Sequence, residues 1–176
     1  MPYITNIPEN TGPEGILKKF PESGDPILQA TMALLKGSEE LSKAHCELIA
    51  AYTSGLNACD FCYGGHTAFA EAYGVEEGLL EKLLRDVDST TLDSKFKVLL
   101  KHLKKVTKES NKITQKDVDT VLDAGWNNEA YYQAVALCSI FNFHNRLVDS
   151  YGLVLPPGFK EHIKEHINHG GSVHDH

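Results

Sequence analysis

Apolar residues recur in this chain at intervals of three and four residues, and this helical period is the feature that most constrains its fold. It is clearest between about residues 92 and 108, where lysines occupy mostly the face opposite to Phe96, Leu99, Leu100, Leu103 and Val106. No stretch shows the sustained alternation of apolar and polar residues that a half-buried β-strand requires. The pattern therefore predicts an all-α fold.

The composition suits a single domain. A chain of 176 residues with 41% hydrophobic content can fill one core but not two. Its formal net charge of −7 argues against nucleic acid as a main partner, because binding phosphates needs a basic surface. The sequence shows neither a basic stretch followed by an apolar run at its start nor a run of about eighteen apolar residues. We therefore expect no export, no membrane insertion and a cytoplasmic location.

Proline and glycine set off the first part of the chain. Four prolines and three glycines fall within residues 1–25, and this density of helix breakers predicts an extended arm with at most one short helical turn near residues 16–20. Such an arm is suited to lie across a neighbouring subunit. Asp25 and Pro26 then resemble a cap followed by a proline at the first helical position, so we expect the helical domain to cover residues 26–160.

Capping signals and the apolar period place the helices within this domain. A helical hairpin of residues 38–56 and 58–73 is its centre, because Asn57 can cap the second helix and Gly74 can end it. Residues 161–176 are expected to form a polar, histidine-rich tail. The other helices are expected at about residues 26–36, 76–85, 92–108, 114–124 and 128–151, with a short polar helix after Pro157.

The hairpin carries two thiols and an imidazole on one helical face. At about 100° per residue, Cys59, Cys62 and His66 fall within a narrow sector of the same helix. Two sulfurs one turn apart can be joined, and the imidazole can accept a proton from one of them. The helix dipole, the imidazole and the second sulfur all favour a thiolate. The spacing therefore indicates a dithiol that cycles to a disulfide.

Glu47 is a candidate partner for this imidazole. In an antiparallel hairpin it lies about three turns before the end of its helix, while His66 lies about two turns into the next one, so the two side chains can meet. A carboxylate at that place would orient the ring and increase its basicity. The alternative, a glutamate on the protein surface, fits the spacing equally well.

Other uses of two closely spaced cysteines fit the chain less well. Haem attachment requires a histidine directly after the second cysteine, and a four-cysteine zinc site requires a second close pair. Cys46 and Cys138 stand apart among apolar residues, where a free cysteine usually acts as a small buried hydrophobe. A metal site built from Cys59, Cys62, His66 and one carboxylate stays compatible with the spacing, and so does a redox sensor without catalysis.

The pattern Glu47-x11-Cys59-x2-Cys62-x3-His66 resembles the signature of the alkylhydroperoxidase D-like family, within the carboxymuconolactone decarboxylase superfamily. The run over residues 141–147 is similar to a segment of the subgroup called peroxidase-related proteins. This resemblance implies an all-helical fold with the reactive cysteines at the start of a helix. It also implies assembly as trimers, or as hexamers made from them, and no organic cofactor.

The same resemblance implies a role for each residue. Cys62 is the thiolate that attacks a hydroperoxide and becomes a sulfenic acid, and Cys59 condenses with it to a disulfide. His66 and Glu47 form the proton relay, and a dithiol protein or a small thiol reduces the pair again. The position of Cys59 nearer the helix start would by itself favour that sulfur as the first nucleophile.

Two further features bear on activity. The decarboxylase branch of the superfamily generally lacks the cysteine pair, so the resemblance implies a thiol-dependent peroxidase in preference to a decarboxylase-like enzyme. Phe61 stands where the best-studied members carry a histidine directly before the second cysteine. We therefore expect slow turnover or a different choice of reductant.

Overall fold

The computed structural model of the protein describes residue 3 and residues 11–169. These residues form helices and no β-strand, which confirms the predicted all-α fold. A short 3₁₀ turn, Ser110–Lys112, follows the sixth helix. The α-helices are α1 (Pro13–Leu17), α2 (Pro21–Leu35), α3 (Lys43–Leu56), α4 (Asp60–Ala72), α5 (Leu79–Arg85), α6 (Ser94–Glu109), α7 (Gln115–Asp123), α8 (Asn128–Tyr151) and α9 (Phe159–Asn168). None of these helices is both long enough and apolar enough to cross a bilayer.

The predicted hairpin forms as α3 and α4 and is the centre of the molecule, but its caps differ from the prediction. The first helix begins at Lys43 and not at residue 38, and the N-cap of α4 is Cys59, because Asn57 is the C-cap of α3. Every residue of α3 from Cys46 to Ser54 is buried, because α4, α5, α6 and α8 pack around it. A helix covered on all sides can carry a polar group only if that group finds a partner within the protein. Two buried polar side chains of α3, Glu47 and Ser54, have such partners on neighbouring helices.

The segment before residue 26 is not the extended arm that its composition predicted. Residues 13–17 form α1, and α2 begins at Pro21 instead of Pro26. Pro26 is accommodated in the second turn of α2, where it removes one backbone hydrogen bond. Residues 4–10 of the predicted arm lie outside the described residues.

A close backbone contact explains this N-terminal corner. A Cβ atom added at Gly24 would lie only 2.1 Å from the carbonyl oxygen of Leu17, so only glycine lets α2 turn back directly on α1. The corner buries Ile16 in one hydrophobic cluster with Cys59 and Cys62. We call this group the cysteine cluster; it consists of Ile16, Cys59, Cys62, Val148 and Leu153.

The predicted polar tail also differs from the structure over its first part. A short helix after Pro157 was expected, and α9 forms there, but it continues through residue 168 and packs on α4. Its Ile163 is buried, and Lys160 Nζ lies 2.8 Å from Glu71 Oε2. Residues 170–176 of the predicted tail lie outside the described residues.

Candidate active site

A sharp bend between α3 and α4 brings both cysteines to the start of α4. Ala58 adopts a left-handed conformation with φ of 57°, which is uncommon for a residue with a Cβ atom. Cys59 is the N-cap of α4, and its backbone N–H donates to the carbonyl of Ser54 at 3.0 Å. Cys62 follows one turn later. Both cysteines are free thiols, and their side chains are buried in the cysteine cluster.

The two sulfurs differ in acidity because they are hydrogen-bonded to each other. The Cys59 thiol donates to the Cys62 sulfur, which raises the pKa of Cys59 and lowers the pKa of Cys62. Burial opposes ionisation of Cys62, but the charge of His66 adds to the lowering of its pKa. A thiolate therefore forms more readily at Cys62, although Cys59 lies nearer the positive end of the helix dipole.

The structure brings Glu47 and His66 together. Glu47 Oε2 lies 2.6 Å from His66 Nδ1, and the Glu47 side chain is only 1% exposed. Glu47 is therefore not a surface residue. The Phe141 ring packs edge-on against the imidazole at 4.5 Å between centroids, which fixes the ring orientation.

The charge state of His66 follows from this pairing. Burial lowers the pKa of His66, but the charge and hydrogen bond of Glu47, together with the charge of Cys62, raise it more. The pKa of His66 is thus above its ordinary value, while the pKa of Cys62 is below its own. The two shifts favour an imidazolium beside a thiolate, with the Glu47 carboxylate behind it.

Asn145 is a site residue that the sequence did not place among the reactive groups. It comes from α8 and is 1% exposed, and its amide oxygen accepts from Asn57 Nδ2 at 2.8 Å. Its amide nitrogen donates to Ser54 Oγ at 2.8 Å and also hydrogen-bonds Cys62, which lowers the pKa of that thiol. The signal in the sequence is a polar residue in register with the apolar face of α8, between Phe141 and Val148.

His144 is buried next to this site but has a different role. Because the Thr31 hydroxyl donates to the carbonyl of Ile27 at 2.8 Å, His144 Nε2 must be the donor in its 2.8 Å bond to Thr31 Oγ1. Burial, and then the charge of His66, lower the pKa of His144 to about 4. It is therefore a neutral link between α2 and α8.

The remaining cysteines behave as predicted. Cys46 and Cys138 are fully buried, and burial is the main reason that the pKa of Cys46 rises to about 12. Burial also raises the pKa of Cys138. Neither thiol is activated.

The spacing left open a metal site built from Cys59, Cys62, His66 and one carboxylate. Among the residues that the structure describes, no three histidine, cysteine or acidic side chains lie together in a way that could hold a metal ion. His66 directs Nδ1 at a carboxylate, and the sulfur of Cys62 accepts hydrogen bonds from Cys59 and Asn145.

Two solved structures have a fold similar to that of this chain. The chain superposes on an uncharacterized peroxidase-related protein from Ralstonia eutropha JMP134, described as an alkylhydroperoxidase AhpD core, with a TM-score of 0.75 and 21% identity over 82% of this chain and 76% of that one. A second uncharacterized peroxidase-related protein, from Silicibacter sp. TM1040, superposes with a TM-score of 0.74 and 23% identity. The superposition covers 83% of this chain and 78% of that one. No model of a protein family and no curated protein matches the chain. The protein therefore has the alkylhydroperoxidase D-like fold.

Proposed function

We propose that this protein is a thiol-dependent peroxidase that reduces hydroperoxides through a dithiol–disulfide cycle of Cys59 and Cys62. The observation that carries this proposal is the convergence on Cys62 of a second thiol, a raised-pKa imidazole and a buried amide. A thiolate with a neighbouring cysteine that can resolve it is the arrangement of redox-active thiols. The peroxidase-related names of both structural neighbours support the same class of reaction.

The first step is a two-electron oxidation of Cys62. Its thiolate attacks the terminal oxygen of the hydroperoxide, so an S–O bond forms while the O–O bond breaks. The alkoxide that leaves takes a proton from the His66 imidazolium and departs as an alcohol. Cys62 is then a sulfenic acid, and Glu47 stabilises His66 through the change of charge.

The second step closes the disulfide. The sulfur of Cys59 attacks the sulfenic sulfur of Cys62, and the S–O bond breaks. The departing hydroxide combines with the proton of the Cys59 thiol to form water. Two reducing thiols, from a dithiol protein or from small molecules, then return both cysteines to the starting state.

Substitution of the proposed nucleophile tests this function. The wild type should consume an organic hydroperoxide such as tert-butyl hydroperoxide in the presence of dithiothreitol, and Cys62→Ser should fall to the rate measured without protein. Cys46→Ser is the matched control, because Cys46 is buried outside the cysteine cluster. Turnover by Cys62→Ser at the wild-type rate would refute Cys62 as the nucleophile, and no turnover by the wild type would refute a peroxidase.

Trapping identifies which sulfur reacts first. In a Cys59→Ser variant treated with one equivalent of peroxide and dimedone, mass spectrometry should find the sulfenic acid adduct on Cys62. This outcome is expected because Cys62 has the lowered pKa and no sulfur is left to resolve it. An unmodified Cys62 would contradict its role.

A further inference from the structure

A cavity of about 490 Å³ opens beside Cys59. Its wall includes Ala58 and Asp60, which flank Cys59 in the chain, and Phe61, which directly precedes Cys62. Tyr3, Asp149 from α8 and residues 152–155 complete the wall. Ala58, Asp60 and Asp149 are exposed, whereas both cysteines are buried and neither belongs to the wall. Because both chain neighbours of Cys59 line the cavity, together with Asp149, which is within hydrogen-bonding reach of its thiol, the cavity lies next to Cys59.

Both charged side chains in this wall are negative. None of the described residues that line the cavity is a lysine or an arginine. Asp149 also acts on the sulfurs themselves, as an alternative acceptor within reach of the Cys59 thiol and as a negative charge near Cys62. A molecule that enters here to react with Cys59 thus meets two carboxylates and no lining cation.

We propose that the reducing thiol enters through this cavity and attacks Cys59, and that Asp60 and Asp149 select cationic over anionic thiols. The inference rests on the proposed dithiol–disulfide cycle and names the chemical class of its reductant. The attacking group is itself a thiolate, so the carboxylates repel every reductant to some extent. A positive group on the reductant offsets this repulsion, and a second negative group increases it.

The bond changes explain why Cys59 is the sulfur that is attacked. The incoming thiolate forms a mixed disulfide with Cys59, the Cys59–Cys62 bond breaks, and the electron pair leaves on Cys62. Cys62 is the better leaving group because His66 and Asn145 stabilise its thiolate. A second thiol then attacks the mixed disulfide, which releases the oxidised reductant, and the Cys59 thiolate takes up a proton to become a thiol.

The test measures reduction alone and needs no peroxide. The protein is oxidised with diamide, the Cys59–Cys62 disulfide is verified by mass spectrometry, and its reduction by cysteamine and by 3-mercaptopropionate is followed by quenching and alkylation. We expect the ratio of the two rate constants to favour cysteamine at low salt. Asp149→Asn should lower this ratio about sevenfold and the double variant with Asp60→Asn about fiftyfold, since unit charges about 7 Å apart in water interact by about RT and the two thiols differ by two unit charges.

Comparing ratios between variants cancels the intrinsic difference between the two thiols. Asp119→Asn removes the same charge from an exposed site on α7 outside the cavity wall, and its ratio should equal that of the wild type. An unchanged ratio in the double variant, or an equal change in Asp119→Asn, would overturn the selection while the disulfide cycle stands. Failure of diamide to form the Cys59–Cys62 disulfide would overturn both the inference and the proposed function.

Discussion

At the scale of single residues, the paired side chains of Glu47 and His66 link burial to chemistry. A carboxylate that is 1% exposed is stable only with a strong partner, and His66 Nδ1 at 2.6 Å is that partner. The same contact raises the pKa of the imidazole, which in turn supplies positive charge to Cys62. One hydrogen bond therefore contributes both to the stability of α3 and to the acidity of the thiol.

Removing the charge of Glu47 should narrow the pH range of activity from both sides. In Glu47→Gln the pKa of His66 falls, because the carboxylate no longer favours the imidazolium. Less positive charge near Cys62 then raises the pKa of that thiol. The reaction needs a Cys62 thiolate and a protonated His66, so the acidic limb of the pH–rate profile should move up and the alkaline limb should move down.

Stopped-flow measurement of peroxide reduction between about pH 5 and about 10 would show both limbs of the pH–rate profile. Near neutral pH, the rate constant of Glu47→Gln should be at least about tenfold lower than that of the wild type. Glu76→Gln is a suitable control, because it removes a carboxylate that pairs with Lys82 on the surface. Limbs that coincide with those of the wild type would exclude Glu47 from the relay.

Asn145→Ala should raise the pKa of Cys62 without changing the imidazole. The substitution removes the amide donor to the sulfur and leaves the Glu47–His66 contact in place. A hydrogen bond to a charged group contributes about 1.5–3 kcal/mol, so we expect a rise of about one pH unit or more. The thiolate absorbance near 240 nm, titrated in the wild type and the variant, measures the change.

Ser54→Ala is the control for this variant, because it removes the other acceptor of the Asn145 amide but leaves the donor to Cys62. A merely structural Asn145 would give the same titration in all three proteins. That result would remove Asn145 from the site.

At the scale of helices, His144 couples the packing of α2 on α8 to pH. It is buried and neutral, and the pKa of about 4 lies below the ordinary value of 6.5. The unfolded chain therefore binds a proton between these two values that the folded protein does not. Stability is fully present above pH 6.5 and is lost as the pH falls towards 4, by up to about 3 kcal/mol.

Urea unfolding at pH 7 and pH 5 would measure this dependence. His144→Gln keeps a donor for Thr31 but cannot be protonated, so its free energy of unfolding should fall less between the two pH values. Equal losses in the wild type and the variant would contradict the assignment of this acid sensitivity to His144.

At the scale of the whole molecule, assembly stays a prediction from the sequence resemblance. We expect sedimentation velocity to give a species of about three or six times the 19.4 kDa of the chain. The cytoplasmic location is likewise a prediction. A single species of 19.4 kDa would contradict a trimer or a hexamer.

Local geometry explains which features the sequence predicted. Cys59, Cys62 and His66 share a face because helical spacing alone determines it. The α3–α4 hairpin followed from the apolar period and from the helix breakers around it, which act within a few residues, whereas the predicted cap Asn57 ends α3 instead of starting α4. The all-α fold is the sum of such local signals. The antiparallel hairpin allowed two interpretations of Glu47, as a partner of His66 or as a surface residue, and the first of these is the one the structure shows.

The tertiary structure decided what depends on residues distant in the chain. Asn145 reaches Cys62 from another helix, and together with the Cys59 hydrogen bond and His66 it determines that Cys62 is the more acidic sulfur. The contact of Gly24 with Leu17 turned an expected arm into two packed helices. The sequence by itself thus determined which groups share a helix, whereas burial and charge, which act through space between helices, determined which of them ionises.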